Sequence, residues 1–121
     1  MNVAALADRR QNPRYAVEYA EFLVSGRFVE VVDMSLQGLA ILDRDAGFWP
    51  LVQTGRGSLY GDDRLYLEGI PFRTANEVVL PDVAGARVPG LRRLGIQFGS
   101  LTPAQQERLD FFIWVHSTKS A

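Results

Sequence analysis

Two short stretches of this sequence hold residues whose types and spacing could do chemistry. The first is "ADRRQNPRYAV", residues 7 to 17, where Arg9, Arg10 and Arg14 lie close together. Nearly all the cations of the chain are arginine, the planar fork suited to bidentate contacts. Such a cluster is either solvated surface or a grip on something anionic. Arg10 and Arg14 form R-x-x-x-R, but in a chain this rich in arginine about one such pair arises by chance. The second stretch is "DMSLQG", residues 33 to 38, which sets Asp33, Ser35 and Gly38 in the pattern D-x-S-x-x-G. The same composition argument expects roughly 0.03 of those, so this stretch carries the weight. Its ordinary reading is a capped tight turn, since short polar side chains and glycine serve turns routinely.

Other chemistries find little support. His116 is the single histidine, so a serine–histidine–aspartate relay would have to bring Asp33 and Ser35 to that one residue, with no nucleophile-elbow signature to suggest it. There is no cysteine, which removes thiolate metal sites and cysteine nucleophiles. Asp43, Asp45, Asp62 and Asp63 lack the ligand spacing of a calcium loop. "GRG" at 55–57 and "GIQFG" at 95–99 are too short for phosphate loops. The expectation is a protein with no enzyme activity, no metal and no cofactor.

Elements must position the two stretches. Pro13 pushes Asn12 away from helical geometry, so residues 1–14 read as a flexible arm. "YAVEYAEFLV" from Tyr15 to Val24, a turn at "SG" and "RFVEVVD" read as a hairpin, and "GLAILD" as a short buried strand. Between Phe48 and Asp63 the pattern supports a loop with at most one strand. "RLYLEGIPFRTANEVVLPD" predicts two strands around Gly69-Ile70-Pro71, "VAGARVPG" a turn-rich excursion, and "RRLGIQFG" another strand. Thr102-Pro103-Ala104-Gln105 is a capping box with proline at the first helical position, opening a helix to about His116. Leu109, Phe112 and Ile113 form its apolar stripe, widened by Trp114 and Val115, and both Trp49 and Trp114 are expected in the core. The predicted fold is mainly β, a six-stranded antiparallel barrel over residues 15–117 with a C-terminal helix, followed by a tail at 118–121.

The whole chain narrows the partners. Its 121 residues, 47% hydrophobic and 22% charged, suit one domain with one core. A net charge of -1 and a pI near 5.8 argue against a general grip on DNA or RNA, which would demand a basic domain. No run approaches the length of a membrane helix, so no membrane insertion is expected. The apolar stretch in "MNVAALADRR" is too short for a signal peptide and its arginines follow it, which points to a cytoplasmic location.

With "RRQNPR", "DMSLQG" and, more weakly, "LGIQF" in this order, the chain resembles the PilZ domain from Arg9 to about Val115. PilZ domains are bacterial receptors for the second messenger cyclic di-GMP. The resemblance implies a ligand held between the arm and the barrel surface, with Arg9, Arg10, Arg14, Asp33, Ser35 and Gly38 as its contacts. An arginine fork pairs with guanine O6 and N7, lies on a purine face or clamps a phosphate. An ionised Asp33 accepts from guanine N1 and N2, Ser35 gives and takes a hydrogen bond, and Gly38 permits positive φ or close approach of a purine. The extra Arg9 implies two stacked ligand molecules. Gly95, Gln97 and Phe98 read as barrel packing ahead of ligand contact. The implied mechanism is signal transduction, with the arm ordering on binding and a downstream protein partner reading the change. Two rivals remain: a protein-interaction module of the same fold that binds no nucleotide, and a small barrel for single-stranded nucleic acid, which should show a basic, aromatic face.

Overall fold

In a computed structural model, residues 13–43, 54–79 and 92–120 are described. Eight strands and one helix lie among them: β1 (Tyr15–Val17), β2 (Ala20–Val24), β3 (Arg27–Ser35), β4 (Gly38–Asp43), β5 (Thr54–Gly61), β6 (Arg64–Val79), β7 (Arg92–Phe98), α1 (Pro103–His116) and β8 (Ser117–Ser120). The order β2-β5-β6-β7-β4-β3 closes on itself because β2 also pairs with β3, giving a six-stranded antiparallel barrel. β1 and β8 extend it outward from β3.

The alternating apolar residues of the strands fill the barrel. Phe22, Met34, Leu39, Ile41, Leu59, Ile70 and Leu94 are fully buried, and Phe22 meets Phe72 edge-on at 5.4 Å between ring centroids. At β3 a register shift leaves Val32 without a partner between Val31↔Ile41 and Asp33↔Ala40. That extra residue allows Val31 and Met34 both to be buried in the core. It also places Asp33 and Ser35, two apart, on the other face of the strand.

Several elements differ from the sequence-based expectation. The single strand expected over 15–24 is broken at Glu18 and Tyr19, where Tyr19 adopts a left-handed φ of 59° and its carbonyl oxygen accepts from the Asp62 N–H at 3.0 Å. The stretch expected as two strands around Gly69 is the one sixteen-residue strand β6. Gly69 takes φ +67° and its neighbourhood is bulged against β5, so the strand bends and does not end. At the C-terminus, residues expected as a tail form β8, whose Ser117, Lys119 and Ser120 pair with β1.

Helix α1 starts as its capping box predicts. The Gln105 N–H donates to Thr102 Oγ1 at 3.1 Å, and the Thr102 N–H donates to Gln105 Oε1 at 2.9 Å. Thr102→Ala should lower stability by about 1 kcal/mol in a urea titration, with the slope unchanged. Leu109, Phe112, Ile113 and His116 face the barrel. Trp114 corrects the expectation: it is 78% exposed and Val115 is exposed too, because at 100° per residue both fall on the side away from that stripe. Trp49 lies outside the described residues.

Candidate functional site

The two motifs meet. Arg14, at the entry to β1, donates from Nε to Asp33 Oδ1 at 2.8 Å and pairs through Nη2 with the same oxygen. β1 lies directly against β3, with Ala16 opposite Asp33, so the pairing of the first strand brings the arginine to the aspartate. The Asp33 carboxylate is buried and Arg14 is partly so. A third side chain joins them: Arg93 of β7 pairs with the other carboxylate oxygen, Oδ2. Two guanidinium groups around one carboxylate leave a local charge of +1, an environment that favours an incoming anion.

Arg93 has no role in the sequence reading, where "RRLGIQFG" is only a strand. Strand geometry separates its two arginines, since consecutive residues point to opposite faces. Arg92 is buried and pairs with the buried Asp43, which accounts for one of the loop acids considered above. Arg93 turns outward to Asp33. A sequence signal existed in two adjacent arginines on a strand with two aspartates elsewhere, but it could not say which pairs with which.

Ser35 and Gly38 face each other at the base of the β3–β4 turn. The Ser35 hydroxyl oxygen accepts the Gln37 N–H at 3.1 Å, so the turn-capping reading is realised. The turn is tied to β7 by the Phe98 N–H, which donates to the Gln37 carbonyl oxygen at 2.8 Å. Gly38 does not use positive φ, which among the described glycines occurs at Gly26 and Gly69. Its need is space: a Cβ there would overlap the Ile96 carbonyl oxygen of β7.

These residues line one open recess of about 300 Å³. Arg14, Ser35, Gln37 and Gly38 line it together with Asn76 of β6 and Gly95 and Gln97 of β7. Asn76 Oδ1 accepts the Gly95 N–H at 3.1 Å, and a Cβ on Gly95 would overlap the Asn76 side chain, so Gly95 packs closely against Asn76 while it lines the recess. Phe98 is buried and serves the core. Gln97 is exposed, and its Oε1 accepts from Arg73 Nε at 3.0 Å and Nη2 at 2.6 Å. Arg9 and Arg10 lie outside the described residues, as does Asp45.

His116 is occupied elsewhere. Its Nδ1 lies 3.2 Å from the Glu18 carbonyl oxygen and its ring stacks on Phe112 at 4.4 Å. Asp33 and Ser35 are not among its partners. Asp62 and Asp63 form the β5–β6 turn, with φ of 51° and 63°. Among the described residues no helix is long and apolar enough to cross a membrane.

The fold is a small closed β-barrel with an arginine–aspartate pair on its outer face beside an open recess. Comparison with known proteins gives the class a footing. No protein-family model matches the chain, and no curated protein matches it. Solved structures do. MrkH, described as a novel c-di-GMP-dependent transcription regulatory factor, is similar with a TM-score of 0.63 and 18% identity, over 88% of this chain and 50% of that one. The complex of K. pneumonia MrkH with c-di-GMP is similar with a TM-score of 0.67 and 16% identity, over 89% of this chain and 51% of that one. An uncharacterized Legionella protein, Lpg0364, has a TM-score of 0.56 and 11% identity, over 84% of this chain and 90% of that one. The chain spans about half the length of the MrkH chains. At these identities the likeness is one of fold: the barrel is one that a c-di-GMP-dependent regulator also uses.

Proposed function

We propose that this chain is a cyclic di-GMP receptor domain without catalysis, in which Arg14, Asp33, Ser35 and Gly38 form the cup and Arg9 and Arg10 complete the grip from the arm. The observation that carries the reading is that the two motifs meet: Arg14 bonds Asp33, and Arg14 lines one recess with Ser35 and Gly38 of the second motif. The fold shared with MrkH supports it.

The geometry suggests how binding would proceed. A carboxylate offers about four acceptor sites, and Arg14 and Arg93 occupy most of those on Asp33. Guanine N1–H and N2–H would need two of them. Binding then becomes an exchange: Arg14 leaves Asp33 for a phosphate or a purine face, and Asp33 turns its freed oxygen to the guanine edge. Arg93 keeps its hold and fixes the carboxylate. Closure of the arm over the ligand would change the surface offered to a partner. A second stacked ligand would call on Arg9.

Calorimetry with cyclic di-GMP tests the ligand and its stoichiometry together. Saturable binding at micromolar concentration is expected, with two molecules per chain if Arg9 serves a second. Backbone NMR of the free and loaded protein should show residues 8–14 changing more than any strand. Absence of binding would favour the interaction-module reading.

A further inference from the structure

The register of the barrel places a second recess in line with the first. Ser35 lies opposite Gly38, Gly38 opposite Gln97, Gln97 opposite Arg73, and Arg73 opposite Thr54. These residues form one row across five strands. At about 4.8 Å per strand, Arg73 stands roughly 10 Å from Gly38. Beyond Gln97 the row opens into a recess of about 420 Å³ flanked by Arg56 and Arg73, with Pro71 and Phe98 in its wall. Gln97 lines both recesses.

The charges at the two ends differ in kind. Arg14, Arg92 and Arg93 are each paired with an aspartate. Arg73 gives its Nε and Nη2 to the neutral oxygen of Gln97, and Arg56 donates from Nη1 to the Gly69 carbonyl oxygen at 3.1 Å. Among the described residues no carboxylate pairs with either. Exposed arginines are usually mobile and solvated, but the two bonds to one oxygen hold the Arg73 fork in place, so less freedom is lost when it meets an anion. A fixed cation beside an apolar wall suits a phosphate with an apolar or flat group close by.

We infer that the recess between Arg56 and Arg73 is the far half of the ligand site and grips a phosphoryl group of the dinucleotide whose other half fills the Arg14 cup. Gln97 is the positioning residue that aims Arg73. This inference rests on the proposed function, and the ligand would span about two strand spacings, from the Arg14 cup to Arg73.

The test is a calorimetric titration with cyclic di-GMP of the parent protein and the variants Arg73→Gln, Arg73→Lys, Gln97→Ala and Arg56→Gln. Arg73→Gln should weaken binding about tenfold, the loss of one charge-assisted contact. Arg73→Lys, which keeps the charge and loses the fork, should recover part of that loss. Gln97→Ala, which leaves the cation but frees it, should cost about threefold, with the loss in binding entropy. Melting temperatures of the free proteins should stay at the parent value, because all three side chains are exposed. If Arg73→Gln does perturb the fold, Arg56→Gln reads the same recess from the neighbouring strand. Parent-like affinity in both Arg73→Gln and Arg56→Gln overturns the inference and leaves the receptor reading intact. A parent protein that binds no cyclic di-GMP overturns both.

Discussion

Gly38→Ala should destabilise the protein by about 3 kcal/mol or more, a large effect for one methyl group. The added Cβ would overlap the Ile96 carbonyl oxygen and press on the backbone of Gln97, and backbone in a central strand pair has little room to give. Relief requires β4 and β7 to move apart, which would loosen the ladder from Gly38↔Gln97 to Asp43↔Arg92. Urea denaturation of parent and variant measures the change. A midpoint like that of the parent would show that the barrel yields at this seam. The same methyl would enter the recess, so a folded Gly38→Ala protein should also bind the messenger poorly.

Asp33→Ala should weaken cyclic di-GMP binding on the order of a hundredfold, the loss of charge-assisted bonds to a guanine edge. It also leaves Arg14 and Arg93 facing each other without the carboxylate between them. Arg14→Ala should cost about thirtyfold, and the double variant should lose less than the two losses combined, since the residues touch. The exchange proposed for binding makes a further distinction. Were Asp33 only a latch that holds Arg14 back, its removal would release the arginine and tighten binding. Calorimetry of the four proteins decides, and tighter binding by Asp33→Ala would remove that residue from the ligand contacts.

The parts of the fold that local chemistry dictates were legible in the sequence. The capping box at Thr102 and Gln105 marks the start of α1, alternation marks β2 and β3, and a short apolar run marks β4. Where a residue's meaning depends on its partner, sequence was a poorer guide. Gly69-Ile70-Pro71 has the composition of a turn, yet pairing of Gly57 with Ile70 and Arg56 with Pro71 carries the strand through. Trp114 is expected inside as a widening of the apolar stripe, but the phase of the helix turns it out. Gly38 was singled out on the expectation of a special φ or a close ligand, whereas its neighbour is β7. Arg14 and Asp33 stood out by type and spacing. Arg93 and Arg73 did not, because their positions follow from a register that runs through two intervening strand pairings.

Closure of the barrel on β3 has a bearing on how long the protein lasts. That strand is shared by β2, β4 and β1, so opening there undoes the ring and exposes the Met34 side of the core to proteases. A molecule seated across Asp33 and Gln97 would staple β3 to β7 and add about 2.7 kcal/mol against opening at a concentration a hundred times its dissociation constant. On the proposed function, degradation that follows the open population would then slow as the ligand accumulates.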